Sequence, residues 1–232
     1  YKVYGEDGAQ MSPEATEIVV GFIEKITDYL SVTAEEDSPL IVPVPKEVDD
    51  TYIEALKKLT LSKEAVKKCG KDLKLVYTPV HGSGYVPVTR ILGELGINVT
   101  VVKEQTTKDT EFSTVAVPNP EFKETLSMGI ALADQIKADV VFGTDPDSDR
   151  LGVAVKNDQG EFVALSGNQV RILLLDYILT RLKEENALPA NAAVVKSFVT
   201  TGMAKAICAD FGVALFETPV GFKFIGEKIK EW

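Results

Sequence analysis

The chain has 232 residues, 45% of them apolar, 26% charged and 8% aromatic, with a net charge of −10. That length suffices for one large or two modest domains with real cores, and so acidic a balance argues against nucleic acid, which calls for a basic footprint. No apolar run approaches the roughly 18 residues of a spanning helix, and Cys69 and Cys208 are too sparse for a disulfide framework; we expect a cytoplasmic protein with no membrane partner.

YKVYGEDGAQ opens mid-strand without an initiator Met, and GFKFIGEKIKEW stops inside a helical pattern, so the sequence reads as part of something longer. Ser12-Pro13 is a sound helix start, with Ser as the N-cap and Pro in the first turn. Ile18, Phe22, Ile26 and Leu30 then recur every four residues, which predicts one buried helix stripe. SVTAEEDSPLIVPVP is a connector whose acidic run at 34–37 is a solvated stretch, and DDTYIEALKKLT is a short helix.

From residue 73 the pattern turns regular. LKLVYTPV is a strand ending in the turn HGSG, and YVPVTRILGELG is a helix closed by Gly96 with Pro87 in its first turn. INVTVV is a strand, KETLSMGIALADQIK a helix, and ADVVFGTD a strand that delivers an acidic loop. LGVAVKNDQGEFVALSG is a hairpin about NDQG, followed by the long apolar helix GNQVRILLLDYILTRLKEE. The strand AAVVKSFVT, the helix TGMAKAICADFG, the strand VALFETP and a helix opening at GFKFIGEKI make a second alternation. This order predicts an α/β fold of two consecutive, mainly parallel sheets, with a boundary near residues 160–168.

The acidic loop reads GTDPDSDR, with Asp145, Asp147 and Asp149 followed at once by Arg150. Three clustered carboxylates repel one another by on the order of a kcal/mol per close pair, even in wet surroundings. A hard divalent cation relieves that repulsion, and Mg²⁺ takes oxygen ligands while keeping positions open for substrate or water. The loop follows a strand, where open α/β sheets place their ligands. An EF-hand would need Gly at position six and Glu at position twelve, and those positions hold Arg150 and Lys156. A haloacid-dehalogenase-like phosphatase, with Asp145 as nucleophile, stays open as an alternative. Next to a bound metal, Arg150 has the planar fork of donors that a phosphate oxygen accepts from.

Four stretches together resemble the α-D-phosphohexomutases, the phosphoglucomutase and phosphomannomutase family. GTDPDSDR resembles the family's metal-binding loop. YKVYGEDGAQ resembles the segment after its Ser-His-Asn-Pro phosphoserine loop, and YTPVHGSG resembles the start of its second domain. TPVGFKFIGEKI resembles the third-domain stretch before a sugar-binding Gly-Glu-x-Ser loop. The resemblance implies residues 1–40 as the tail of the first domain and connector, 41–163 as the second domain, and 164–232 as an incomplete third.

It also implies a reaction. A phosphoserine gives its phosphate to hexose 1-phosphate, a bisphosphate reorients, and hexose 6-phosphate is released. Asp145, Asp147 and Asp149 would hold Mg²⁺, with glucose 1,6-bisphosphate as the activating intermediate. Arg150 would contact phosphate, and Lys196 would serve as acid/base or electrostatic group. Gly221 and Lys223 would fall near substrate. Glucose is the first choice of sugar and mannose the second. The serine loop, the Gly-Glu-x-Ser loop and the last domain do not occur in these residues, so the other domains of the same polypeptide are expected partners and the chain alone is expected to be inactive.

The remaining candidates have plainer readings beside their functional ones. His81 is the only histidine; its HGSG context is either an anion cradle of backbone N–H groups, which makes His81 a candidate for substrate binding, or a structural turn. Lys196 could be a snorkelling core-edge lysine, and Lys223 either a phosphate ligand at a helix start or a solvated cation. Sugar phosphate carries nearly two negative charges, so Mg²⁺, Arg150, Lys196 and Lys223 would have to reverse the local potential of an acidic chain. The reading from a different class is a non-catalytic α/β module that binds a metal or anion.

Overall fold

Leu75, Val76, Tyr77 and Thr78 are four consecutive buried residues, the signature of a strand covered on both faces. They belong to β1 (Lys74–Thr78), which pairs in parallel with β2 (Asn98–Val101) and with β3 (Val140–Thr144) in the computed structural model, which describes residues 2–33 and 37–232. β4 (Leu151–Lys156) runs antiparallel to β3, and β5 (Phe162–Leu165) antiparallel to β4. The sheet order is β2-β1-β3-β4-β5, so β4 alone is reversed and the sheet is mainly parallel.

The core lies between this sheet and α5 (Ser127–Ile136): Val76, Val141, Ala154 and Phe162 from strands meet Leu126 and Ala133. α4 (Tyr85–Glu94) packs on β2, and α2 (Lys46–Lys58) packs on α4. α3 (Lys63–Cys69) is a seven-residue helix that periodicity did not reveal. α6 (Gly167–Glu184) opens with a reciprocal Ser166–Gln169 capping box and packs on β4.

By compactness the chain divides into two units: Pro45–Ala187, which holds the five-stranded sheet and α6, and Tyr1–Val44 with Leu188–Trp232. In the second unit β6 (Ala193–Ser197) and β7 (Ala214–Thr218) form a small parallel sheet. α7 (Met203–Phe211) packs on β7 and α8 (Phe222–Lys230) on β6.

The N-terminal stripe needs correction. Ser12 does cap α1 (Pro13–Ile23), accepting from the Ala15 N–H. The helix stops at Ile23, however, and Ile18, Phe22, Ile26 and Leu30 are all exposed rather than buried. Periodicity marks the side of a helix suited to a partner; none of the residues of α1 is buried. The opening YKVY segment forms a single antiparallel bridge, Tyr4 to Gln10, rather than a strand run. The acidic run at 34–37 falls mostly outside the described residues, as does Tyr1. Among the described residues no helix is long and apolar enough to cross a membrane.

Candidate metal centre

The acidic loop joins the antiparallel strands β3 and β4. Thr144 and Leu151 are the last paired residues, and residues 145–150 close the hairpin between them. Asp145 anchors the turn twice: its carbonyl accepts from Ser148 N–H at 2.9 Å, and its carboxylate accepts from Arg150 N–H at 3.0 Å. Ser148 takes a left-handed φ of 60° to make the reversal. The three carboxylates thereby come together, with one oxygen of each lying within 4.8 Å of the others. An ion with bonds of roughly 2.0–2.6 Å holds opposite oxygens about 4–5 Å apart, so the all-oxygen set fits Mg²⁺ or a similar hard cation.

The electrostatics agree. Asp145 is buried, whereas Asp147 and Asp149 are exposed. Burial, aided by the charges of Asp149 and Asp147, pushes the Asp145 carboxyl above its usual range, and the Arg150 N–H opposes that shift. Arg150 places Nε 3.6 Å from Asp145 and 3.9 Å from Asp149. Its side chain stays 53% exposed, which leaves guanidinium surface available to a phosphate.

A second loop, residues 81–84, is pressed onto the first. Ser83 donates to the Pro146 carbonyl from its N–H at 2.9 Å and its hydroxyl at 3.1 Å. A methyl group on Gly82 would lie 2.5 Å from Pro146 Cα and 2.7 Å from its oxygen, so only glycine allows the approach. Val80 and His81 both hold positive φ, at 46° and 60°, strain of the kind that clusters where structure is over-determined.

The N–H groups of His81, Gly82 and Ser83 bond to the carbonyls of Gln105, Pro79 and Pro146. They are committed to the fold, which favours the structural turn over an anion cradle. The His81 ring is also committed. A carbonyl can only accept, so Nδ1 carries a proton toward Thr107 O at 2.8 Å, and Nε2 meets the Thr114 hydroxyl at 2.7 Å. Thr114 also accepts from Gln105, and Gln105 accepts from Thr78. The imidazole thus ties the turn to residues 105–114, and any direct bond to substrate would have to displace one of these contacts.

The other candidates lie in the second unit and are described by themselves. Lys196 on β6 is buried, and its ammonium donates to Glu217 at 2.7 Å and to the Thr200 carbonyl at 3.0 Å. Glu217 sits directly opposite on β7, and the Lys196 hydrogen bond and charge hold its carboxyl below the usual range. Gly221 precedes α8 with φ of 133°, a conformation that side chains rarely adopt. Lys223 lies over the Phe224 ring, 5.0 Å from its centroid. Sequence reasoning missed Tyr77, Thr144 and Ser148, and weighed Ser83 only as an improbable hydrolase nucleophile; their hydroxyls adjoin the acidic loop, and the two glycines of HGSG were the signal of close approach.

Residues 50–160 match the family model for phosphoglucomutase/phosphomannomutase, alpha/beta/alpha domain II, and residues 166–232 match that for domain III. A phosphoglucomutase of Staphylococcus epidermidis is 38% identical over 237 aligned residues, covering 99% of this chain and 41% of its own length. A solved structure of a phosphomannomutase candidate from Thermus thermophilus aligns with TM-score 0.67 and 23% identity, over 97% of this chain and 46% of that one. The Aspergillus fumigatus N-acetylphosphoglucosamine mutase solved with GlcNAc-6P and magnesium aligns with TM-score 0.54 and 14% identity, over 79% and 37%. At those identities the two structures speak for the fold. The chain spans about two fifths of the length of the curated relative.

Proposed function

The chain belongs to the phosphoglucomutase/phosphomannomutase family, and on that premise we propose that it carries the cation site of a hexose-phosphate mutase. The reaction interconverts hexose 1-phosphate and hexose 6-phosphate, with glucose as the first substrate and mannose as the second. The observation that carries this reading is the convergence of Asp145, Asp147 and Asp149 on one hairpin loop, with Arg150 beside them. Mg²⁺ bound there would lower the charge on a transferring phosphoryl group.

The protein's own groups then divide the work. Asp145, Asp147 and Asp149 hold the cation, and Arg150 offers its exposed guanidinium face to a phosphate oxygen. An ammonium has three donors, and Lys196 spends two of them on Glu217 and Thr200. One remains for substrate, so an electrostatic role suits Lys196 better than that of a base. Lys223 and the glycine bend at Gly221 shape a substrate loop at the start of α8. His81 acts from behind, holding the turn that supports the metal loop.

The phosphoserine donor lies outside these residues in this account, and glucose 1,6-bisphosphate primes it. Residues 1–40, 41–163 and 164–232 are assigned to the first, second and third domains, with the last incomplete. The chain by itself therefore does not turn over, and its partners are the remaining domains of its polypeptide. The two free cysteines suit the reducing cytoplasm.

A coupled assay of glucose 1-phosphate conversion, with Mg²⁺ and a trace of bisphosphate, tests the reading. It is run on the polypeptide from its encoded start to its encoded stop, beside Asp147→Ala. Activity that collapses in the variant supports the mutase. Folded, phosphorylated protein inactive on both glucose and mannose phosphates contradicts it.

A further inference from the structure

We propose that Tyr77 is a positioning residue for the acidic loop, acting through its hydroxyl on Thr144; the proposal rests on reading that loop as a cation site. Tyr77 is wholly buried on the central strand β1, between Val76 and Thr78 in the core. Its hydroxyl lies 2.8 Å from Thr144 Oγ1. Thr144 ends β3 and immediately precedes Asp145, the one buried carboxylate of the three.

The same hydroxyl belongs to a junction of three. A methyl group on Gly84 would lie 2.6 Å from Tyr77 Oη, 2.6 Å from Ser148 Oγ and 2.8 Å from Thr144 Oγ1. Strand β1, strand β3 and the acidic loop therefore each send a hydroxyl to the same small space, which glycine at 84 leaves open. Burial pushes the Tyr77 pKa up to about 12, so the phenol keeps its proton and remains able to donate.

Phe would fill the Tyr77 space equally well, since the two side chains differ only by the hydroxyl. The core needs the ring, while the hydroxyl, among the described residues, bonds to Thr144. Fixing Thr144 fixes the rotamer and backbone from which the Asp145 carboxylate projects. Groups that hydrogen-bond a metal's direct ligands commonly change affinity by 10–100-fold when removed; Tyr77 bonds the residue before a ligand rather than the ligand itself, so the low end of that range applies.

The test titrates the polypeptide, from its encoded start to its encoded stop, with Mn²⁺, counting the free aqueous ion by electron paramagnetic resonance, and records thermal unfolding in EDTA. The variants are Tyr77→Phe, Thr144→Val, Thr144→Ser, the Tyr77→Phe/Thr144→Val double, and Asp147→Asn. We expect Tyr77→Phe and Thr144→Val each to weaken Mn²⁺ about tenfold, Thr144→Ser to retain wild-type affinity, and the double variant to be no weaker than either single. Wild-type affinity in Tyr77→Phe, whatever its melting temperature, overturns the proposal, as do additive losses in the double variant. If Tyr77→Phe fails to fold, the two Thr144 variants decide, and wild-type affinity in Thr144→Val overturns it. Loss in Asp147→Asn with none in Tyr77→Phe spares the cation site and removes only the positioning role. A wild-type chain that binds no Mn²⁺ overturns both.

Discussion

Gly82 and Pro146 are in backbone contact: a Cβ on the glycine would stand 2.5 Å from the proline Cα. Backbone on backbone leaves no flexible side-chain end to give way. Gly82→Ala should therefore displace the acidic loop, costing roughly 1–3 kcal/mol of stability together with divalent-cation affinity. Gly93 in α4 has open space around it, so Gly93→Ala should gain about 0.5–1 kcal/mol and leave affinity alone. Urea unfolding and Mn²⁺ titration of both variants check the contrast.

The Lys196–Glu217 pair makes a prediction about acid. The Glu217 carboxyl is held below its usual range, so the folded chain binds its proton less readily than the unfolded chain does. Its stabilising contribution is present above the ordinary glutamate range and is lost as pH falls through and below it. Thermal melts of wild type and Glu217→Gln should differ at pH 7 and converge toward pH 3. A difference that does not change with pH would contradict the pairing.

Leu126 is wholly buried against Val76, Val141 and their neighbours beneath the five-stranded sheet. Leu126→Ala should cost roughly 2–5 kcal/mol through lost transfer energy and a residual cavity. Equilibrium denaturation measures it, and a loss below about 1 kcal/mol would show that the site collapses freely.

What the sequence makes legible depends on range. The apolar runs at Leu75–Thr78 and Val140–Thr144 and the NDQG turn are local signals, and the parallel strands and the hairpin stand where those signals place them. The acidic loop is also local, since hairpin closure brings Asp145, Asp147 and Asp149 together over five residues. Partnerships across the sheet are not local. Lys196 meets Glu217 because of a register between strands 21 residues apart, and Tyr77 meets Thr144 across 67. His81 finds Thr107 and Thr114 in a stretch with no periodicity to place it. The stripe of α1 is legible as a pattern, but a pattern does not say whether anything covers it.

The central claim is that residues 145–150 hold a hard divalent cation, and the melting temperature of the 232-residue chain tests it most directly. Mg²⁺ at ten times its Kd should stabilise the folded state by about 1.4 kcal/mol, raising the melting temperature over that in NaCl of equal ionic strength. Asp147→Asn should lose most of that rise. Equal rises in wild type and variant, or no rise in either up to tens of millimolar Mg²⁺, would contradict the account.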